Sequence, residues 1–207
     1  MGCLKSRINK IIFIALLIAF FFFGGCDFVK TKYSEFTSPP RDVMIEKSKD
    51  FGNFESVSSD YRLTRSLNFG GYRKFNAQYL PTGQKLSILD LKNSNIVEPN
   101  DFYSNTINEK IDEILSKFED SFITFENLEI TQKGVISAQG KNIPYVNFKA
   151  KVKNIPFKNV EGMLGAYETV NVTSKKPVSS VKIIISMRDI KKYNQQLNTD
   201  FIKSIKF

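Results

Sequence analysis

Residues 143–153 read IPYVNFKAKVK, and this stretch decides the fold because apolar and polar residues alternate from Val146 onward. One side of the predicted strand carries Val146, Phe148, Ala150 and Val152. The other side carries Asn147, Lys149, Lys151 and Lys153. A period of two residues is that of a β-strand. A strand with one apolar side belongs to an antiparallel sheet that packs on that side and meets water on the other.

Similar strand patterns occur on both sides of this stretch. They are YRLTRSLNF (61–69), YRKFNAQYL (72–80), QKLSILDLK (84–92), SFITFENLEI (121–130), GVISAQG (134–140), MLGAYETVNV (163–172) and SVKIIISMR (180–188). Turn signals separate the first three, namely the glycines at 70 and 71 and the sequence PTG at 81–83. Such spacing favours antiparallel hairpins.

Two amphipathic helices complete the pattern. The first begins at a capping box formed by Thr106 and Glu109. Its apolar stripe is Ile107, Ile111, Ile114, Leu115, Phe118 and Phe122. The second runs to the chain end, with a stripe of Tyr193, Leu197, Phe201 and Ile205. The order of strands, helix, strands and helix predicts an α+β domain over residues 57–207, a mostly antiparallel sheet with helices packed on it.

The N-terminal residues have the layout of a bacterial secretory signal. Lys5, Arg7 and Lys10 precede an apolar run over residues 11–23, which ends in two glycines and Cys26. The sequence FGGC (23–26) resembles the lipobox of bacterial lipoproteins. The resemblance implies that residues 1–25 are removed and that Cys26 becomes the lipid-modified first residue.

Residues 26–56 then form the lipidated cysteine and a tether, by this interpretation. Within the segment, RDVMIEK (41–47) could instead pair or dock on the domain, so the boundary near residue 57 is soft. The segment has mixed charge, a Pro-Pro pair and no sustained period. A flexible tether of this length has a root-mean-square reach of about 30 Å. Two alternatives stay open for the N-terminus. MGCLKS fits a myristoylation pattern with Cys3 as a palmitoyl site, and the apolar run could instead be an uncleaved signal anchor.

Composition excludes several kinds of chemistry. The chain has no histidine, and its only cysteines are Cys3 and Cys26. Catalytic dyads and triads built on histidine, and histidine metal sites, are therefore excluded. The net charge is +9, from 30 basic and 21 acidic residues, and +6 remains after the three basic residues of the signal are removed. A basic surface is attracted to an anionic membrane leaflet. No nucleic-acid recognition motif is present, so we expect no nucleic-acid partner.

The second half of the chain resembles the PsbP-like fold. The resemblance rests on the helix INEKIDEILSKF (107–118), the strand pair FENLEITQKGVISAQGKNIPYVNFKAKV (125–152), the strands GAYETVNV (165–172) and VKIIISMR (181–188), and the closing helix YNQQLNTDFIKSIKF (193–207). In that family the last helix typically ends in an apolar-x-x-Ser-apolar-x-Phe pattern, which FIKSIKF matches with Ser204 and Phe207. The resemblance implies an α/β/α sandwich and a binding or assembly-accessory domain, without catalytic residues.

The row of Lys149, Lys151 and Lys153 is the sharpest surface feature. These side chains stand two residues apart on one sheet face, so their charges repel unless they are solvated or matched. Two interpretations stay open. The row contacts an acidic protein partner or an anionic lipid surface, or it is an ordinary solvated face. The mid-domain acids Glu126, Glu129, Glu161, Glu168 and Asp189 show no spacing that marks a catalytic pair.

Two functions follow as hypotheses, both for a protein anchored through Cys26 in the bacterial cell envelope and exposed outside the cytoplasm. The first is a non-enzymatic lipoprotein that binds an envelope protein partner at the membrane. The alternative is a carrier lipoprotein for a small apolar ligand or lipid, held between sheet and helix. Neither requires a metal or another cofactor.

Overall fold

The computed structural model describes residues 39–67, 73–90, 96–116, 124–153, 159–171 and 178–207. The helices are α1 (Arg41–Lys47), α2 (Thr106–Ser116) and α3 (Gln195–Ser204), with a 3-10 helix at Pro99–Tyr103. The strands are β1 (Tyr61–Leu67), β2 (Arg73–Tyr79), β3 (Lys85–Asp90), β4 (Thr124–Ala138), β5 (Lys141–Lys153), β6 (Asn159–Asn171) and β7 (Val178–Asp189).

These strands form one 7-stranded sheet in the order β1-β2-β3-β7-β6-β5-β4, and every neighbouring pair is antiparallel. The order departs from the chain order at a single point. After β3 the chain passes through the 3-10 helix and α2, and it rejoins the sheet as the edge strand β4. The last strand, β7, then fills the place between β3 and β6. The α+β fold with a mostly antiparallel sheet is therefore confirmed.

Helices cover both faces of the sheet. The run Ile183-Ile184-Ile185 on β7 is fully buried because its side chains alternate between two cores. Ile184 belongs to the cluster that contains α1 and α3 residues, whereas Ile183 and Ile185 belong to the cluster that contains α2. A near-continuous apolar run is the expected sequence of a strand buried on both faces. We name the two sides of the sheet the α1–α3 face and the α2 face.

The expectation of one wet sheet face is correct for only half of β5. Val146, Phe148, Ala150 and Val152 are buried on the α2 face as predicted, and Lys149, Lys151 and Lys153 are exposed. Asn147, however, is buried, as are Ile143 and Tyr145 on the same side. The reason is α3, because Gln195 at its start donates from Nε2 to the Tyr145 hydroxyl at 3.4 Å. The helix covers the first half of β5 and leaves the second half open.

The two strands predicted at 121–130 and 134–140 are one continuous strand, β4. Its pairing with β5 shifts register between Glu126 and Glu129 and again between Ile130 and Gln132. Asn127 has a φ of 51°, in the left-handed region, which is where the first irregularity falls. These bulges interrupt the alternation of side chains, so the sequence pattern breaks although the strand continues.

The domain begins earlier than residue 57. Residues Arg41–Phe207 form one compact unit, and the segment that we expected to be tether packs into the core from α1 onward. Met44, Phe51 and Phe54 are almost fully buried against the α1–α3 face. The ring centroids of Phe54 and Phe75 lie 4.3 Å apart. Burial of Met44, Phe51 and Phe54 therefore places the domain boundary at α1.

Both predicted helices are present with different ends. Thr106 is the first residue of α2 and not its cap, and its amide donates to Ser104 Oγ at 3.2 Å. The α2 stripe is buried at Ile107, Ile111, Ile114 and Leu115, while Phe118 and Phe122 lie outside the described residues. α3 ends at Ser204. The last residues leave the helix because Lys206 pairs with Asn53 in an isolated β-bridge.

Candidate functional site

An exposed charged surface occupies the open half of the α1–α3 face. We name it the charged face; its members are Glu126, Glu129, Lys149, Lys151, Lys153, Glu161 and Arg188. The register of the sheet sets a row across four strands, in which Lys149 lies opposite Glu129 on β4 and Glu161 on β6. Glu161 in turn lies opposite Arg188 on β7. Charge sign therefore alternates from strand to strand along this row.

A second row matches the remaining lysines of the predicted site. Lys151 lies opposite Glu126 on β4, and Lys153 forms an ion pair with the same carboxylate. The three lysines that the sequence places in one row are thus matched by carboxylates from β4 and β6. Because opposite charges in facing positions attract, the repulsion within the lysine row is offset inside the sheet.

Two polar atoms at the inner border of the charged face have no hydrogen-bond partner. They are Asn147 Oδ1 and Arg188 Nη1, and both are buried. The Asn147 amide nitrogen is satisfied, since it donates to Gln132 Oε1 at 3.0 Å. A buried donor or acceptor left unpaired costs about 1–3 kcal/mol.

A buried charge network lies at the opposite end of the same sheet face. Asp90 on β3 is fully buried and binds donors from two neighbouring strands. Lys182 Nζ lies 2.8 Å from Asp90 Oδ1, and Arg73 Nε donates to Asp90 Oδ2 at 2.9 Å. The Ser180 hydroxyl donates to Asp90 Oδ1 at 2.5 Å. Arg73 also forms an ion pair with Asp50, which follows α1.

The network includes a contact between Ser180 and Lys182. A serine beside a lysine can be an activated nucleophile, so the geometry of this contact matters. Lys182 Nζ donates to Ser180 Oγ at 3.1 Å. Burial lowers the pKa of Lys182, and the hydrogen bond and charge of Asp90 raise it. Burial is the larger effect, so the pKa of Lys182 is lowered overall. Lys182 Nζ lies against Asp90, and the Ser180 hydroxyl donates to the same carboxylate. An activated nucleophile needs a neighbouring base that is free to take its proton, so this arrangement holds the fold together.

Tyr167 closes the network on its buried side. Its hydroxyl donates to the Phe51 carbonyl oxygen at 2.6 Å, which ties β6 to the segment after α1. Burial raises the pKa of Tyr167, and the Asp90 carboxylate adds to the effect. Lys182 Nζ lies 5.5 Å from the Phe51 ring centroid, within range of a cation–π contact.

Sequence reasoning missed this network, although a signal was present. Asp90 and Lys182 are single charges inside the apolar runs LSILDL (86–91) and VKIII (181–185). Aspartate and lysine are rarely fully buried unless they are paired. A charge in a strand that reads as buried on both sides therefore indicates a partner on a neighbouring strand, but not which residue it is.

The other predicted site residues have varied positions. Cys26 lies outside the described residues, as do the predicted turn glycines at 70 and 71. Glu126, Glu129 and Glu161 belong to the charged face, and Glu168 accepts from Ser179 Oγ at 3.5 Å. Within the described ranges, no group of three His, Cys, Asp or Glu side chains could hold a metal ion.

Comparison with known proteins adds no relative. No protein-family model matches the chain, and a search of curated proteins finds no significant match. In the part of the chain that the structure describes, none of the helices is both long enough and apolar enough to cross a bilayer.

Proposed function

We propose that this chain is a bacterial lipoprotein, anchored in the cell envelope through lipid on Cys26, whose α+β domain binds a protein partner outside the cytoplasm and is not an enzyme. The anchor is supported by the sequence around residues 23–26, which resembles a lipobox. The binding role is carried by one observation, the alternating charges of the charged face.

Alternation of charge favours a protein partner over a lipid surface. A bilayer presents a diffuse charge of one sign and responds to net positive charge. A protein partner can instead present charges in a fixed pattern, which sets the register and excludes wrong partners. The row of Glu129, Lys149, Glu161 and Arg188 has such a pattern, and the sheet holds its spacing.

A non-catalytic role is supported by how the reactive groups are engaged. The chain has no histidine. Among the described residues, the buried pair Asp90 and Lys182 and the part-buried Ser180 bind one another. Each would have to break a charge-assisted hydrogen bond before it could react, and such bonds are roughly twice as strong as neutral ones.

A PsbP-like α/β/α sandwich is part of the proposal. It is supported by the helices on both sheet faces and by the C-terminal pattern FIKSIKF. In this pattern Phe201, Ile202 and Ile205 are buried, and Ser204 Oγ donates to the Phe201 carbonyl at 2.6 Å. The Phe207 ring packs edge-on against Tyr167, with centroids 4.6 Å apart. In the family this fold serves binding and assembly, which agrees with the proposed role.

Photo-crosslinking in the native envelope tests the proposal. A photoreactive amino acid replaces Lys149 in the full-length protein, and a matched variant carries it at Tyr103, which is 59% exposed and lies outside the charged face. We expect a discrete protein adduct from position 149 and none from position 103. Adducts that are absent from both positions, or equal at both, would contradict the proposal.

A charge swap separates a partner from a lipid surface. The double variant Lys149→Glu/Glu161→Lys keeps opposite charges at this facing position and the same net charge, but it inverts the pattern that a partner meets. We expect the adduct from a crosslinker at Lys151 to disappear in this variant. Association driven by net charge with lipid would be unchanged. Native mass spectrometry of the purified protein checks the carrier alternative, since a bound apolar ligand adds mass that denaturation removes.

A further inference from the structure

One end of the sheet adjoins the charged face and carries exposed apolar side chains as well. It is the end where β1, β3 and β6 begin and where β2, β5 and β7 end. We name it the proximal end. These strand ends lie side by side, since Tyr61 pairs with Tyr79 and Leu86 pairs with Ser186. The turn after β2 and the turn after β7 therefore project from the same end.

The chain that leads from Cys26 also reaches the domain at this end. Arg41, the first residue of α1, donates from Nη1 to the Tyr61 carbonyl at 2.7 Å and from Nη2 to the Ser58 carbonyl at 3.1 Å. It donates to the Val57 carbonyl as well. Three hydrogen bonds from one guanidinium fix the start of α1 to the start of β1.

Exposed apolar side chains are concentrated here. Of the large apolar residues that are exposed in the described part of the chain, Leu80 is 49% exposed in the turn after β2, and Ile190 is 38% exposed just after β7. Val43 is 36% exposed within one helical turn of Arg41. Tyr103 and Val135 are the others, and they lie away from this end.

Basic residues flank these apolar side chains. Lys191 and Lys192 follow Ile190 directly, and Lys85 begins β3 beside the turn that carries Leu80. Arg62 is exposed at the start of β1. The exposed acids near this end are Asp42, Asp60 and Asp200, and the half-buried Glu126 and Glu161 of the charged face adjoin it. The Asp189 carboxylate is half-buried and accepts the Lys191 amide at 3.0 Å. Apolar tips surrounded by lysine match the boundary between headgroups and acyl chains of an anionic membrane.

We propose that the proximal end lies against the anionic lipid surface in which Cys26 is anchored, with Leu80 and Ile190 reaching the headgroup region. The proposal rests on lipid attachment at Cys26. Covalent geometry limits the distance between the membrane surface and the start of the domain, since the residues between Cys26 and Arg41 span about 50 Å at full extension. The tether permits this contact, and the exposed apolar and basic side chains at the end that receives the chain favour it. Because Glu161 and Arg188 of the charged face lie beside the end of β7, the charged face borders the membrane in this orientation, with its outer surface turned to a protein partner.

Site-specific fluorescence on the lipidated protein tests this orientation. The mature chain has no cysteine after Cys26, so an introduced cysteine is the only free thiol. The variants Leu80→Cys and Ile190→Cys are labelled with an environment-sensitive dye, with Tyr103→Cys and Val135→Cys as matched exposed controls. Each lipidated protein is reconstituted in vesicles that contain phosphatidylglycerol, with nitroxide-labelled lipid as quencher.

We expect several-fold stronger quenching at positions 80 and 190 than at 103 and 135, together with a blue shift of the dye emission. Equal quenching at all four positions, in protein that floats with the vesicles, would overturn the orientation and leave the lipid anchor intact. Protein that does not float would overturn the anchor itself and this proposal with it. Equally strong quenching at 80 and 190 in vesicles of phosphatidylcholine alone would overturn the role of the lysines.

Discussion

Replacing Asp90 with asparagine tests whether the buried charge network holds the sheet together. Asp90 accepts from Lys182, Arg73 and Ser180, and it is fully buried. The Asp90→Asn variant keeps the shape of the side chain and removes its charge. Lys182, with a side-chain exposure of 2%, then has lost the carboxylate that it pairs with, so its ammonium form is desolvated without compensation.

The expected cost follows from this burial. Removing one partner of a buried ion pair typically costs about 3–5 kcal/mol, because the other charge stays desolvated. For a domain of this size each kcal/mol lowers Tm by about 2–4 °C, which gives a drop of roughly 6–20 °C. The exposed pair of Lys153 and Glu126 provides a matched control, since Lys153 is 60% exposed. The Lys153→Met variant should cost less than about 1 kcal/mol.

Urea denaturation measures the coupling between Asp90 and Lys182. It compares the wild type, the single variants Asp90→Asn and Lys182→Met, and the double variant that carries both substitutions. Since the double variant removes both charges, it should be more stable than the sum of the single losses predicts, by roughly 0.5–3 kcal/mol. Additive losses, or a cost for Asp90→Asn as small as that of Lys153→Met, would refute a stabilising role for the network.

Two further predictions concern packing and alkaline pH. A Cβ at Gly162 would lie 2.5 Å from Phe148 Cζ and 2.7 Å from the Ser186 carbonyl oxygen, so Gly162→Ala should lower the free energy of unfolding by about 1–3 kcal/mol. A urea midpoint equal to that of the wild type would contradict this packing. Burial raises the pKa of Tyr61 to about 12, and the charges of Tyr79, Asp200 and Asp60 add to it. Because the unfolded phenol ionises at a pKa of about 10, stability should be intact below this pH and fall as pH rises toward 12. Phenolate absorbance, which no tryptophan disturbs in this chain, follows the ionisation of tyrosine. If the loss of stability at alkaline pH were the same in Tyr61→Phe as in the wild type, the assignment to Tyr61 would be contradicted.

The strands and helices could be predicted because their patterns are local. Alternation along β5 and the apolar stripe of α2 are visible within a dozen residues, and both stripes are buried where the structure describes them. Prediction was wrong where the pattern was broken. The bulges in β4 hide the period around Asn127, and a single strand therefore reads as two.

The start of the domain could not be predicted from its own segment. Phe51 and Phe54 stand alone among polar residues, and their burial depends on Phe75, which comes from β2. Such contacts between distant parts of the chain leave no local period. The polar segment around α1 therefore reads as tether although it is part of the core.

The candidate site was predicted in part for the same reason. The exposure of Lys149, Lys151 and Lys153 follows from alternation and is present. Their matching by Glu126, Glu129 and Glu161 depends on strand order and register, which the sequence of one strand does not contain. The pairing of Asp90 with Lys182 likewise requires β3 and β7 to be neighbours, and the chain order does not suggest this.

The most direct test of the account is the intact mass of the mature protein, purified in detergent from its own membranes. Attachment through Cys26 predicts a chain that begins at residue 26 and carries the added mass of diacylglycerol, with a further acyl group where the amine is modified. A chain that keeps residues 1–25, with or without a fatty acid near its start, would contradict the account. An unmodified Cys26 would contradict it as well.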